Sequence, residues 1–284
     1  IIKKQQIPSG HNEKNYNLEK VYAISHDGEK IPISIIRRKD TPKNAPTLLY
    51  GYGSYGISIS PSFSVSRLSL IDRGMVYAIA HIRGGMEKGK KWYEDGKKKN
   101  KLNSFKDFIT CAEFLKKENI SKNITIHGGS AGGLLMGASI NISPDTFHCA
   151  VAEVPFVDVL NTILDDTLPL TPPEWEEWGN PIKNKSDFDY IGSYSPYDNI
   201  KEQNYPTILA TSGLTDPRVT YWEATKWIAK LRSKKINDNP IFLKTYTEAG
   251  HGGMAGRYNQ IKETAFIYAF ILWRNNLIKR SFSS

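Results

Sequence analysis

The sequence predicts an α/β fold, a mostly parallel sheet with helices packed on both faces. Two observations carry this expectation. Short apolar runs ending in glycines or loops alternate with longer amphipathic stretches. One run leads into a glycine-rich turn that opens directly onto an apolar helical stretch. Strands covered on both faces read as continuous apolar runs, because neither face meets water.

The elements follow in chain order. The first dozen residues are polar and turn-rich, with Ile7-Pro8-Ser9-Gly10, and read as a linker. Lys20–Ser25 and Lys30–Ile36 are expected to form a hairpin around His26-Asp27-Gly28-Glu29. Pro46–Tyr50 and Met75–His81 are buried strands. A helix is expected from about Ser104, with Ser104 and Asp107 as a capping box and Phe105, Phe108, Ile109, Ala112 and Leu115 on one face. Asn123–His127 is the next strand, and Leu134–Ile140 reads as a buried helix. Strands recur at Cys149–Glu153, Thr207–Thr211 and Ile241–Thr245, and helices around Tyr221–Arg232 and Ile261–Leu277. The stretch Leu168–Pro196, rich in Pro and Trp, breaks the alternation and reads as an insertion over one end of the sheet.

Composition narrows the class. Apolar residues make up 39% and charged residues 24%, a globular balance with no run long enough to span a membrane. The net charge of +9 raises the question of nucleic acid. The lysines are scattered, however, in runs such as Lys97-Lys98-Lys99-Asn100-Lys101 that read as solvated loops, and no nucleic-acid motif accompanies them. Neither a nucleic acid nor a membrane is expected as partner. Two cysteines, Cys111 and Cys149, lie in apolar stretches and read as buried thiols, which suits a reducing, cytoplasmic compartment. No spacing suggests a metal site, and no cofactor is expected.

The chemistry begins at Gly128-Gly129-Ser130-Ala131-Gly132. A strand, a G-x-S-x-G turn and a helix make a nucleophile elbow, the mark of the α/β-hydrolase fold. The flanking glycines permit the tight approach, and the serine hydroxyl stands exposed over a helix N-terminus. The Ala131 amide is then placed to stabilise an oxyanion. The plainer alternative is a glycine-rich turn gripping a phosphate, but no phosphate-loop lysine follows. Serine needs a base, and in this fold the partners follow in the order Ser, acid, His. Asp216 lies just after a strand in Ser212-Gly213-Leu214-Thr215-Asp216. His251 lies in the glycine-rich loop Ala249–Gly253 after the last strand. Carboxyl ends of strands are where such sheets keep their sites. His127 and His81 read as strand-end residues, and His11, His26 and His148 lie outside the candidate loops.

Several motifs resemble one family. These are Tyr50-Gly51-Tyr52-Gly53-Ser54-Tyr55-Gly56, His81-Ile82-Arg83-Gly84-Gly85, Trp92-Tyr93-Glu94-Asp95-Gly96, the elbow, and Trp175-Glu176-Glu177-Trp178-Gly179-Asn180-Pro181. They are similar to the catalytic domain of the prolyl oligopeptidase family, oligopeptidase B branch. The resemblance implies a serine oligopeptidase that cleaves short peptides after Arg or Lys. It implies Tyr52 as a second oxyanion donor, Arg218 as a holder of the substrate backbone or terminus, and Glu174 and Glu176 as an acidic specificity pair with tryptophans beside the bound cation. The acids that relatives with a paired-basic preference carry after the oxyanion tyrosine have no counterpart in Ile59–Phe63, which argues against that preference here. The resemblance also implies an upstream β-propeller, so that residues 1–17 are a linker or remnant and 18–284 the catalytic domain. Proline-specific peptidase, carboxylesterase and a catalytically impaired remnant are the alternatives.

Overall fold

The structure, a computed structural model, describes residues 2–3, 6–7 and 10–278. Parts of the expected linker (residues 1, 4, 5, 8 and 9) and the last residues of the expected domain (279–284) lie outside the described residues.

Eight strands form one sheet: β1 (Tyr16–Ile24), β2 (Lys30–Arg38), β3 (Thr47–Tyr50), β4 (Val76–Ala80), β5 (Ile124–Gly129), β6 (Cys149–Glu153), β7 (Thr207–Gly213) and β8 (Ile241–Tyr246). Their order is β1-β2-β4-β3-β5-β6-β7-β8. The hairpin β1–β2 is antiparallel and β2 joins β4 antiparallel, whereas every pair from β4 to β8 is parallel. The parallel strands are almost wholly buried, as their unbroken apolar runs require. β8, at the edge, keeps exposed positions. Order and pairing are those of an α/β-hydrolase sheet, as the sequence predicts.

Helices cover both faces. The short α1 (Val65–Ile71) and the last helix, α9 (Arg257–Arg274), pack Leu68, Ile71, Ile267 and Ile271 against Leu48, Tyr77, Val151 and Leu209. The opposite face is covered by α3 (Leu102–Lys117), α4 (Ala131–Ile142) and α8 (Tyr221–Lys234), which bury Phe105, Phe108, Leu134, Leu135 and Trp227. Between these lie α2 (Lys90–Glu94), α5 (Val159–Leu164), α6 (Thr171–Trp178) and α7 (Lys185–Tyr194). The expected insertion Leu168–Pro196 is thus α6 and α7, folded over the carboxyl end of the sheet.

Two local readings change. α3 starts at Leu102, so Ser104 and Asp107 are not a capping box. Both side chains turn inward. The Ser104 hydroxyl donates to the carbonyl of Arg83 at 2.7 Å, and Asp107 accepts Arg83 Nε at 2.8 Å and Nη2 at 2.6 Å. Burial beside an arginine outweighed the local capping pattern. The second change is Lys101. It is not solvated with the rest of its run but is only 1% exposed, inside the protein. Cys111 and Cys149 are buried, free thiols, and burial pushes both well up from the usual thiol range.

Candidate active site

The turn from β5 into α4 places Ser130 at φ 57° and ψ −120°, a conformation that disfavours a side chain. The neighbours make it possible. A Cβ on Gly128 would sit 2.5 Å from the Gly132 carbonyl, and one on Gly133 2.4 Å from Pro155 Cα. The serine is pinned by its own backbone, whose amide donates to the Glu153 carbonyl at 2.8 Å.

The sequence-predicted partners converge on it. His251 Nε2 lies 3.0 Å from Ser130 Oγ, and His251 Nδ1 lies 2.7 Å from Asp216 Oδ2. The other oxygen of Asp216 accepts the amides of Arg218 at 2.8 Å and Val219 at 3.0 Å. Burial alone would raise the Asp216 carboxyl. The hydrogen bonds from His251 and those two amides, with the charge of His251, instead hold it below the usual carboxylate value. A permanent carboxylate behind the ring favours a proton on Nδ1, which leaves Nε2 to accept from the serine.

Ser130 and His251 open onto a cleft of about 300 Å³, also lined by Tyr52, Tyr55, Phe156, Glu174, Arg218 and Glu223. Tyr52 is half-buried. Burial first, then the charges of Tyr50, Glu174 and Glu177, push its hydroxyl up to about 12, so it stays a neutral donor. Ala131 is the first residue of α4, where helix amides have no intrahelical partner. Arg218 is exposed at the rim. A larger groove, of about 590 Å³, runs along β1, β2 and α1 and contains none of these residues.

The structure parts the expected acidic pair. Glu174 lines the cleft, where its Oε2 accepts the Tyr55 hydroxyl at 2.8 Å and the Trp178 indole N–H at 2.6 Å. Glu176 points away, its side chain 89% exposed beside Lys98. The reason is helical spacing. Residues two apart on α6 face nearly opposite sides, whereas three apart share one. Glu177, three after Glu174, is therefore the inward neighbour. It accepts the Tyr55 amide at 2.9 Å and the Tyr93 hydroxyl at 2.6 Å. Trp175 and Trp178 do not line the cleft, which gets its aromatic wall from Tyr52, Tyr55 and Phe156.

Glu223 escaped the sequence reading. It sits in the first turn of α8, 1% exposed, and accepts the amides of Val157 and Asp158 at 2.9 Å each and the Thr162 hydroxyl at 2.7 Å. Burial outweighs those bonds and pushes its carboxyl up to about 7. It ties α8 to the segment behind the elbow, a long-range contact that no local pattern announces. Among the described residues, no group of three His, Cys, Asp or Glu side chains could hold a metal ion.

A hydrogen-bonded Ser–His–Asp chain on an elbow at the carboxyl edge of this sheet has the geometry of an α/β-hydrolase fold active site. Residues 61–276 match the Prolyl oligopeptidase family, and the chain belongs to it. It is 48% identical to dipeptidyl aminopeptidase BI of Pseudoxanthomonas mexicana over 276 residues, 95% of this chain and 38% of that protein. It is 45% identical to protease 2 of Moraxella lacunata, over 92% of this chain and 38% of that protein. Among solved structures, oligopeptidase B from Leishmania major superposes with a TM-score of 0.95 at 47% identity, covering 97% of this chain and 39% of that one. The chain thus spans about two fifths of the length of these relatives. Among the described residues, no helix is long and apolar enough to cross a membrane.

Proposed function

We propose that this chain is the catalytic domain of a serine peptidase that cleaves short peptides after Arg or Lys through an acyl-enzyme. The observation that carries the reading is the pairing of the Ser130–His251–Asp216 chain with the Glu174 carboxylate in a single cleft. In this reading Ser130 attacks the carbonyl carbon while His251 takes the hydroxyl proton. The oxyanion is met by the Ala131 amide and the Tyr52 hydroxyl. His251 then returns the proton to the leaving amine, and water repeats the sequence to release the acid. Asp216 holds the imidazole and balances its charge. Arg218, at the rim, takes a substrate backbone carbonyl or terminus. Glu174, preset by Tyr55 and Trp178, pairs with the guanidinium or ammonium. Glu176 contributes nothing to this pocket.

A second reading is exopeptidase rather than endopeptidase action, favoured by the likeness to a protein named dipeptidyl aminopeptidase. Arg218 would then receive a peptide end rather than an internal carbonyl. A cytoplasmic location is supported by the two buried free thiols. An upstream β-propeller is a proposed partner. Exposed Ile57, Leu214, Tyr221 and Trp222, on the segments that carry the site, support it.

The test is turnover of amides with Arg, Lys or Pro before the bond, each with a free or blocked N-terminus, alongside labelling by a fluorophosphonate probe. Labelling at Ser130 and preference for Arg or Lys support the reading. Preference for Pro, or labelling without amide turnover, overturns the specificity; absence of labelling overturns the mechanism.

A further inference from the structure

Lys101 is a buried cation that the proposed mechanism does not use. Its ammonium donates to the Gly53 carbonyl at 2.6 Å and to the Ser54 hydroxyl at 2.7 Å, and lies 4.9 Å from the centre of the Trp178 ring. Among the described residues its polar partners are these two neutral oxygens and no carboxylate, which is a costly way to hold a charge. A lysine serving only to fill space would be better replaced by an apolar residue.

Its two acceptors are what give it meaning. Gly53 and Ser54 lie between Tyr52, the proposed oxyanion donor, and Tyr55, which binds helix α6 twice, through Glu174 and Glu177. Gly53 is at φ 73°, and its carbonyl packs so closely on Gly84 that a Cβ there would come within 2.0 Å of it. The loop bearing Tyr52 is thus clamped from behind at consecutive residues. Lys101 holds the middle, and α6 holds the far end and also presents Glu174 to the cleft.

We propose that Lys101 is a positioning residue, whose ammonium fixes the Tyr52 loop against α6 and so holds the oxyanion donor in place. The inference rests on Tyr52 acting as proposed above. A neutral amine could still donate, but with fewer protons and weaker bonds, so the clamp depends on charge. Burial lowers the Lys101 ammonium to about 8, only partly opposed by Glu177. The other titratable groups facing this region are Glu174 on α6, Tyr55, Tyr93 from α2, and Tyr190 and Tyr194 from α7. Burial pushes all four tyrosines up from their usual value, so they stay neutral in that pH range.

The experiment compares wild type, Lys101→Met and Tyr52→Phe on an N-blocked arginine amide, with rates normalised to active sites titrated by a fluorophosphonate. For Lys101→Met, kcat should fall roughly 10-fold or more while KM stays within about threefold, as expected for a misaligned transition-state donor. Wild-type kcat should also decline as pH rises through about 8, and Lys101→Met should lack that decline. Folded Lys101→Met with wild-type kcat overturns the proposal. If that variant does not fold, a flat wild-type kcat from pH 7.5 to 9.5 overturns it equally. If Tyr52→Phe also keeps full kcat, the oxyanion reading has failed; if Tyr52→Phe is impaired and Lys101→Met is not, only the role of Lys101 has.

Discussion

His251 Nε2 stands 3.0 Å from Ser130 Oγ, close enough to take the hydroxyl proton without any rearrangement of the loops that carry the two residues. Ser130→Ala should therefore reduce kcat by roughly 10⁵-fold or more while leaving the fold intact. The strained backbone adds a second expectation. At φ 57° a glycine is relaxed, so Ser130→Gly should be more stable than Ser130→Ala by about 1 kcal/mol, read from urea unfolding. Equal stability of the two variants would mean that the elbow carries no side-chain strain.

In the proposed mechanism Asp216, 2.7 Å from His251 Nδ1, fixes which nitrogen of His251 carries the proton. Asp216→Asn keeps the size of the side chain but presents its own N–H groups, and kcat should drop by about 10⁴-fold. The lowered carboxyl also has a stability consequence. Its stabilisation is present above the unfolded carboxylate value, near 3.9, and is lost as pH falls through the lower folded value. The stability difference between wild type and Asp216→Asn should thus shrink below about pH 4. An acid titration followed by circular dichroism measures it; a gap that widens there would contradict the assignment.

Glu174 and Glu176 separate cleanly. Glu174→Gln should lower kcat/KM for an arginine substrate by roughly 100-fold, since a buried guanidinium loses its charged partner. Glu176→Gln should change it less than about twofold, because an exposed ion pair contributes little. Steady-state kinetics on Arg and Pro amides decides, and a larger effect at Glu176 would place the cation elsewhere.

Glu223 should give the stability of the chain a pH dependence. Its carboxyl is raised to about 7, so between roughly pH 4.3 and 7 the folded chain keeps a proton that the unfolded chain has lost. Its contribution to stability falls as pH rises across that window and levels off above it. The stability of Glu223→Gln relative to wild type should accordingly rise from pH 4.5 to 7, by up to roughly 3 kcal/mol, then stay constant. Chemical denaturation at several pH values measures the trend. No trend would mean that the three donors to Glu223 keep it ionised.

What the sequence determined by itself was the part written in local patterns. Apolar runs bounded by glycines marked the parallel strands, and the glycines around Ser130 marked a turn that few other residues could make. The order Ser130, Asp216, His251, each just past a strand, is enough to propose these three as a triad, and the fold brings them within hydrogen-bond distance. What only the tertiary structure decided depended on facing and burial. On α6 the rotation per residue sends Glu174 into the cleft and Glu176 into solvent, which could not be judged before the helix was known. Ser104 and Asp107 looked like a cap because the partner that claims Asp107, Arg83, is remote in sequence. Lys101 belonged to a run of lysines indistinguishable by composition, and only the packing of α3, α6 and the Tyr52 loop put its charge inside. Local sequence encodes backbone geometry directly. The environment of a charge is created by segments far along the chain, so it appears only when they meet.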